Sequence, residues 1–177
     1  MSGGADMESL KARIRDIPDF PKPGIVFKDI TPLLADGPSF RTLTEALAGR
    51  FAGRKVDLVV GVEARGFIIG SAVAYVLEAG IVMIRKKGKL PYKTHKAIYQ
   101  LEYGTDILEI HEDAITPGQR VLIVDDLLAT GGTVSAAIDL VHKLGGSVVG
   151  IGFLVELTFL KGREKLREHE VFSLIQF

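Results

Sequence analysis

One segment, VLIVDDLLATGGT at residues 121–133, constrains the fold of this chain more than any other. Its first four residues are continuously apolar and mostly β-branched, which is the pattern of a strand buried on both faces of a parallel sheet. Two carboxylates and a turn of small residues follow directly. Because ligands of parallel α/β sheets gather at the carboxyl ends of the strands, this segment predicts both the fold class and the place of a binding site.

The two carboxylates, Asp125 and Asp126, suit a pair of neighbouring hydroxyl groups. If the strand continues through them, their side chains point to opposite sides, and both can accept hydrogen bonds. A ribose 2′,3′-diol presents such a pair of hydroxyls. The acid pair therefore predicts a sugar site.

The turn that follows has the composition of a phosphate-binding turn. Glycines let backbone N–H groups approach an anion, and threonine hydroxyls donate further hydrogen bonds. The next segment, 134–144, has a helical pattern, and its positive end would face the anion. A nucleoside-triphosphate P-loop is excluded, because no lysine follows the glycines. The turn, which with the acid pair predicts one site for a ribose 5-phosphate, consists of Ala129, Thr130, Gly131, Gly132 and Thr133.

The other periodic segments predict an α/β fold, with a parallel sheet flanked by helices. Between residues 86 and 115 the alternation fails, and lysines with Gly88 and Pro91 indicate a mobile hairpin or lid. Residues 20–32, rich in proline, predict an ordered loop. Helices are predicted over 10–17, 39–51, 66–77 and 134–144, and strands over 58–62, 81–85, 121–124 and 148–155.

Composition narrows the possible functions further. The length of 177 residues suits one domain. Its 22 basic and 22 acidic side chains cancel, so no overall positive field attracts nucleic acid. Without cysteine there is no disulfide, thiolate metal site or nucleophilic thiol. No signal-peptide pattern and no apolar run of about 18 residues is present, so we expect a cytoplasmic protein without membrane contact.

Segment 121–133 resembles the phosphoribosyl pyrophosphate (PRPP) binding motif of the type I phosphoribosyltransferases. Further segments resemble the adenine phosphoribosyltransferases of that family along nearly the whole chain. They are FPKPGIVFKDITP at 20–32, EARGFIIG at 63–70, IRKKGKL at 84–90, LEYG at 101–104 and VELTFLKGREKL at 155–166.

This resemblance implies a type I phosphoribosyltransferase fold in a single domain over 1–177, with an N-terminal hood at about 8–34 and a lid at about 86–105. The implied reaction is that of purine salvage, adenine + PRPP → AMP + pyrophosphate. It passes through an oxocarbenium-like ribose and needs no covalent enzyme intermediate. The resemblance also implies a homodimer.

A second anion site is expected after the predicted strand 58–62, where Glu63, Ala64 and Arg65 lead into a helix. In the resembling family this turn binds pyrophosphate and contains a cis peptide bond, which would fall between Glu63 and Ala64. Arg65 matches the diphosphate-binding arginine of the family.

The densest cationic run, Arg85 to Lys89, follows the predicted strand 81–85. A solvated charged face is one explanation. The functional explanation assigns Lys86 or Lys87 to the leaving diphosphate, whose charge grows as the C–O bond breaks. The sequence leaves open which of the two lysines does this.

The segment LEYG supplies the candidate acid. By resemblance, Glu102 lies near the purine N7 and the Tyr103 hydroxyl reaches the diphosphate. Attack by adenine N9 develops positive charge on the purine, so a carboxyl hydrogen-bonded to N7 stabilises that state. Glu102 is therefore the predicted catalytic residue.

The adenine site is expected in the hood. Phe27 resembles the aromatic residue that stacks on the base, and backbone groups of Val26 and Lys28 would read the adenine edge. A backbone carbonyl facing the 6-amino group would select adenine, because a 6-oxo group would leave two acceptors facing each other.

None of the four histidines has metal-ligand spacing, so no direct protein ligand for a metal is predicted. Mg²⁺ is expected to arrive on PRPP, held largely by substrate oxygens and water. Two alternatives stay open. One is a xanthine or hypoxanthine-guanine phosphoribosyltransferase, which segment 20–32 disfavours; the other is a non-catalytic PRPP-sensing regulator, which the presence of Glu102 disfavours.

Overall fold

A computed structural model describes residues 3–100 and 105–177. These residues form two compact units, one up to residue 46 and the other from residue 47 onward, and each is described by itself. The organisation as a single domain with a hood and a lid stays a prediction. No helix in the described ranges is long and apolar enough to span a membrane.

The first unit pairs a small two-stranded antiparallel sheet with helices. In the sheet, Ile17 of one strand lies opposite Phe27 of the other. The core includes Leu10, Ile30 and Leu33, all almost completely buried. The elements are α1 (Gly3–Ala12), β1 (Arg15–Pro18), β2 (Val26–Asp29), α2 (Thr31–Ala35) and the first part of α3 (Gly37–Phe51).

Two sequence predictions are wrong in this unit. The helix predicted over 10–17 ends at Ala12, and Arg15–Pro18 is a strand. Pro18 disfavours the helical conformation of the preceding Ile17, and pairing with β2 satisfies the backbone of this segment. The loop predicted over 20–32 is also shorter, because β2 and α2 occupy its second half.

The second unit is a seven-stranded sheet in the order β5-β6-β4-β3-β7-β8-β9. Strands β4, β3, β7, β8 and β9 run parallel to one another. Strand β6 pairs antiparallel with both β4 and β5. The strands are β3 (Leu58–Val62), β4 (Gly80–Lys86), β5 (Thr94–Gln100), β6 (Thr105–His111), β7 (Arg120–Leu128), β8 (Ser147–Glu156) and β9 (Val171–Gln176).

Two α-helices and three short 3₁₀ helices complete this unit. They are α4 (Arg65–Val76) and α5 (Gly132–Lys143), with 3₁₀ turns at Ala52–Arg54, Thr158–Leu160 and Gly162–Leu166. The core is formed by the central strands and α5, with Val60, Ile123 and Leu140 completely buried.

The predicted elements from residue 39 onward are confirmed to within a few residues, with three differences. The sheet is mixed rather than wholly parallel, because the hairpin β5–β6 extends its edge. Strand β7 runs four residues beyond the predicted end, since β8 pairs with it as far as Leu128. Strand β9 was missed, because its residues are mostly half-buried and show neither a continuous apolar run nor a clear alternation.

Candidate functional site

Strand β7 carries the acid pair from the core to the carboxyl end of the sheet. Asp125 and Asp126 are both buried, each 8% exposed, and the Asp126 N–H donates to Asp125 Oδ1 at 2.9 Å. Burial and then the charge of Asp126 raise the pKa of Asp125 well above its ordinary value, while Arg65 acts in the opposite direction. Hydrogen-bond donors from a ligand would favour the charged form of this carboxyl.

The predicted phosphate turn lies directly beyond the end of β7. Gly131 has a φ of +80°, and a Cβ atom there would lie 2.6 Å from the Gly162 carbonyl oxygen, so glycine is required. Helix α5 begins at Gly132, and the first N–H groups of a helix have no partners within it. The Ser135 hydroxyl donates to the Gly131 carbonyl at 2.8 Å and so braces the turn.

A cavity of about 70 Å³ lies in this turn, which is room for several water molecules. Its lining includes the small residues of the turn together with Phe153 of β8. The glycine backbone and the threonine hydroxyls of the turn are the hydrogen-bond donors that this lining offers to an anion. The lining consists of Asp125, Leu127, Leu128, Phe153 and residues 129–134.

The turn after β3 contacts the acid pair. Arg65 Nε lies 2.7 Å from Asp126 Oδ2, and a Cβ atom on Gly66 would lie 2.6 Å from Asp125 Oδ1. The peptide bond between Glu63 and Ala64 is cis, as the resemblance implies. Because β3 and β7 are neighbours in the sheet, the structure brings the two predicted anion-binding motifs together.

The side chain of Glu63 binds cations of the protein. Its Oε2 accepts from the Lys86 N–H at 3.0 Å and lies 3.3 Å from Arg85 Nε, while its Oε1 pairs with the Lys89 ammonium. Burial would raise the pKa of Glu63, but Lys89 and the Lys86 N–H outweigh this effect and lower it. The Glu63 carboxylate thus orders the cationic run. The backbone of Glu63, rather than its side chain, is the part of this residue that could contact an anion.

The two candidate lysines differ in their surroundings. Lys86 Nζ lies 3.2 Å from Asp106 Oδ2, and this hydrogen bond and charge raise the pKa of the lysine. Lys87 is exposed, and its ammonium has no ion-pair partner among the described residues. The Gly88 N–H donates to the buried Glu109 at 2.9 Å.

Sequence reasoning missed the acids that order this run, Asp106 and Glu109, and left Lys89 without a role. Both acids lie on β6, opposite the end of β4 or beside it. The signal in the sequence that could have identified these two acids is their position within an otherwise apolar strand pattern. The predicted roles of Glu102 and Tyr103 fall outside the described residues.

The expected base-binding residues lie on β2 in the first unit. The Phe27 ring packs edge-on against Phe20 with ring centroids 5.3 Å apart. Lys28 Nζ lies 2.7 Å from Asp16 Oδ1, so its side chain is engaged locally. Val26 is 49% exposed. The Lys28 ammonium is thus paired within the sheet of the first unit.

No cluster of three or more histidine or carboxylate side chains suited to a metal ion occurs in the described ranges. The carboxylates nearest the sugar site are Asp125 and Asp126, and the second of these is paired with Arg65. This donor set fits a metal that is carried by the substrate and contacted through water.

Comparison with known proteins identifies the family. Residues 31–176 match the model of the phosphoribosyl transferase domain. The adenine phosphoribosyltransferase of Syntrophotalea carbinolica is 61% identical over 171 residues, which cover 97% of this chain and 100% of the relative.

Two crystal structures of adenine phosphoribosyltransferases match the fold. The enzyme from Thermoanaerobacter pseudethanolicus is 57% identical, with a TM-score of 0.94 over 97% of this chain and 99% of its own. The enzyme from Saccharomyces cerevisiae, complexed with adenine and an imino-altritol bisphosphate, is 42% identical, with a TM-score of 0.91 over 96% and 98%. The predicted type I phosphoribosyltransferase fold is thereby confirmed. The chain belongs to the phosphoribosyl transferase domain family and, within it, to the adenine phosphoribosyltransferases.

Proposed function

We propose that the protein transfers the 5-phosphoribosyl group of Mg²⁺-bound PRPP to adenine and releases AMP and pyrophosphate. The observation that carries this proposal is the direct contact of Arg65 with Asp126, next to the phosphate turn. PRPP has a diol between a 5-phosphate and a diphosphate. Groups suited to all three therefore lie at one end of the sheet.

Each part of PRPP has a proposed partner. Asp125 and Asp126 accept hydrogen bonds from the ribose hydroxyls, and the turn 129–133 holds the 5-phosphate. The backbone of Glu63 and Ala64 faces the diphosphate together with Arg65. The cations Lys86 and Lys87 and the Tyr103 hydroxyl add to this group. Positive charge at this place stabilises the departing pyrophosphate as the anomeric C–O bond breaks.

The base is proposed to bind through the hood. The ring of Phe27 stacks on adenine, and backbone groups of Val26 and Lys28 pair with its edge. Glu102 is the proposed catalytic residue, with a proton held between its carboxyl and purine N7 while N9 attacks the anomeric carbon. The adenine bound in the S. cerevisiae relative supports adenine as the base.

Mg²⁺ enters this proposal as part of the substrate. A divalent cation neutralises the charge of the diphosphate. It needs few direct protein ligands when substrate oxygens and water complete its shell. The Mg²⁺ requirement is therefore assigned to PRPP rather than to a resident metal site.

We also propose a homodimer formed through an apolar surface, here called the α4/β4 patch and defined by Ile68, Tyr75, Ile81 and Met83. These four side chains are between 43% and 86% exposed. Ile68 and Tyr75 are seven residues apart and share one face of α4, and Ile81 and Met83 share one face of β4. A Cβ atom on Gly70 of α4 would lie 3.5 Å from Ile81, so α4 packs beside β4.

The test of the proposed reaction is AMP formation from PRPP with adenine, hypoxanthine, guanine and xanthine, each with Mg²⁺ and with a chelator. We expect Mg²⁺-dependent turnover with strong preference for adenine. Turnover on a 6-oxopurine would favour one of the alternative transferases. PRPP binding without turnover on any base would favour the regulator.

We also propose a cytoplasmic location, because highly charged substrates do not cross a hydrocarbon layer unaided.

A further inference from the structure

A buried tyrosine at the end of β5 has no role in the proposed chemistry. Tyr99 is 8% exposed and lies directly opposite Asp106 in the β5–β6 hairpin. Its hydroxyl donates to Asp106 Oδ2 across 3.2 Å. A buried hydroxyl is costly to leave unpaired, so its bonding partners bear on its purpose.

On one side, this pair reaches the cationic run. Asp106 Oδ2 also lies 3.2 Å from Lys86 Nζ, and Oδ1 accepts from the Ile107 N–H at 2.8 Å. The Ile107 N–H and then Lys86 lower the pKa of Asp106, so its carboxylate is charged at neutral pH. With both oxygens engaged, the carboxylate holds the Lys86 ammonium in one place.

On the other side, Tyr99 reaches the phosphate turn. The Thr133 side chain acts on the Tyr99 hydroxyl, because it partly offsets the burial that raises the pKa of Tyr99. A Cβ atom on Gly132 would lie 3.8 Å from the Tyr99 ring and 3.2 Å from the Gln100 carbonyl oxygen. The hairpin therefore packs directly against the start of α5, where the turn ends.

These contacts form one continuous connection, from Thr133 through Tyr99 and Asp106 to Lys86. Its two ends are the groups assigned above to the 5-phosphate and to the diphosphate. Both anionic groups of PRPP are attached to one ribose ring, so their separation is restricted. A protein that fixes the distance between its two anion-binding groups avoids ordering them when the ligand binds.

We propose that Tyr99 and Asp106 are positioning residues that hold the phosphate turn and Lys86 at the spacing required by the two anionic groups of PRPP. This inference rests on the proposed function, because it takes its ligand from there. Neither residue contacts the reacting atoms in this proposal. Their effect passes through Thr133 and Lys86.

The decisive variant is Tyr99→Phe, which removes one hydroxyl and keeps the buried ring. Dissociation constants for Mg²⁺–PRPP, ribose 5-phosphate alone and pyrophosphate alone are measured by titration calorimetry. We expect PRPP to bind about three- to tenfold more weakly, as the loss of one hydrogen-bonded connection predicts. The fragments should weaken by less, because spacing matters only for a ligand with both groups.

Tyr92→Phe is the matched control, because the Tyr92 side chain is 53% exposed and lies outside the connection. It should bind all three ligands as the wild type does. Asp106→Asn provides the second variant and should also weaken PRPP more than the fragments. If Tyr99→Phe does not fold, Asp106→Asn decides by the same criterion. The double variant, with both Tyr99→Phe and Asp106→Asn, should bind PRPP no more weakly than whichever single variant binds it less tightly. Each substitution interrupts the same connection, so their effects should not add.

Unchanged PRPP affinity in the variants would overturn the proposal, as would equal weakening of PRPP and of both fragments. The second result would indicate a merely structural role. Failure of the proposed function is a separate result, because it is measured as absence of AMP formation by the wild type.

Discussion

The guanidinium of Arg65, at the start of α4, and the carboxylate of Asp126, on β7, form an ion pair with 2.7 Å between Nε and Oδ2. Arg65 is assigned to the diphosphate and Asp126 to the ribose diol. A ligand with only one of these groups would take one member of the pair and leave the other charge without its partner. In the proposed mode of binding PRPP supplies a partner for both, and we therefore expect the pair to favour the complete substrate over its fragments.

Replacing Asp126 should therefore impair PRPP use. We expect Asp126→Asn to raise the KM for PRPP by roughly tenfold or more, because a hydrogen bond to a charged group is lost and Arg65 loses its partner. The KM for adenine should change less. Steady-state kinetics with each substrate varied separately checks this. Asp113→Asn, at an exposed turn residue, is the control. An unchanged KM for PRPP would remove Asp126 from the diol site.

The contact of Gly66 with Asp125 makes this glycine sensitive to substitution. In Gly66→Ala the new Cβ would lie 2.6 Å from Asp125 Oδ1, so the carboxylate must move. We expect a loss of about 1–3 kcal/mol in the free energy of unfolding and weaker PRPP binding. Gly49→Ala is the matched control, because nothing lies within 4 Å of its Cβ and alanine favours the helix. Denaturant unfolding and PRPP titration measure the effects, and a Gly66→Ala protein as stable as the control would contradict the prediction.

Glu63 should contribute stability that depends on pH. Its folded pKa is lowered, so its contribution is present above the unfolded pKa of the carboxyl and is lost as the pH falls through the folded pKa. Glu63→Gln should therefore reduce the free energy of unfolding by about 1–2 kcal/mol at neutral pH. The difference from the wild type should shrink as the pH falls below about 4. Thermal unfolding across this pH range measures it. Glu168→Gln, at an exposed glutamate, should show no such trend, and a constant difference for Glu63→Gln would refute the assignment.

The proposed homodimer depends on the α4/β4 patch. The chain has a mass of 19.2 kDa, so light scattering should give about twice this mass for the wild type in solution. Tyr75→Arg places a charge on the most exposed residue of the patch and should shift the protein to the mass of one chain. Tyr92→Arg, at an exposed tyrosine outside the patch, should leave the mass unchanged. A wild type with the mass of one chain would rule out the dimer, and a dimeric Tyr75→Arg would exclude this patch as its interface.

Local pattern was sufficient to predict most elements of the second unit. The β-branched run before Asp125 favours a buried strand and the small residues after it favour a turn, and both preferences depend only on neighbouring residues in the chain. Strand β1 escaped prediction because its conformation depends on pairing with β2, ten residues away, rather than on its own periodicity. Strand β9 was missed because it is only partly buried, so its sequence shows neither a continuous apolar run nor a clear alternation.

The pairing of charges within the site could not be predicted from the sequence. That Arg65 meets Asp126 follows from β3 lying beside β7, and that Glu63 meets Lys89 follows from β3 lying beside β4. Strand order depends on the packing of the whole chain, and no local pattern records it. Sequence reasoning therefore identified the chemical groups of the site but not which of them neutralise one another.

Strand β7 continues from the core through the acid pair to Leu128, and it pairs with β3 up to Val124 and with β8 as far as Leu128. Central strands of this kind open only when the whole unit unfolds, whereas surface loops open with little cost. The carboxylates proposed to bind the ribose therefore lie on an element that stays closed for as long as the unit stays folded. A substitution on this strand that changes the proposed sugar site is therefore expected to change the stability of the fold as well.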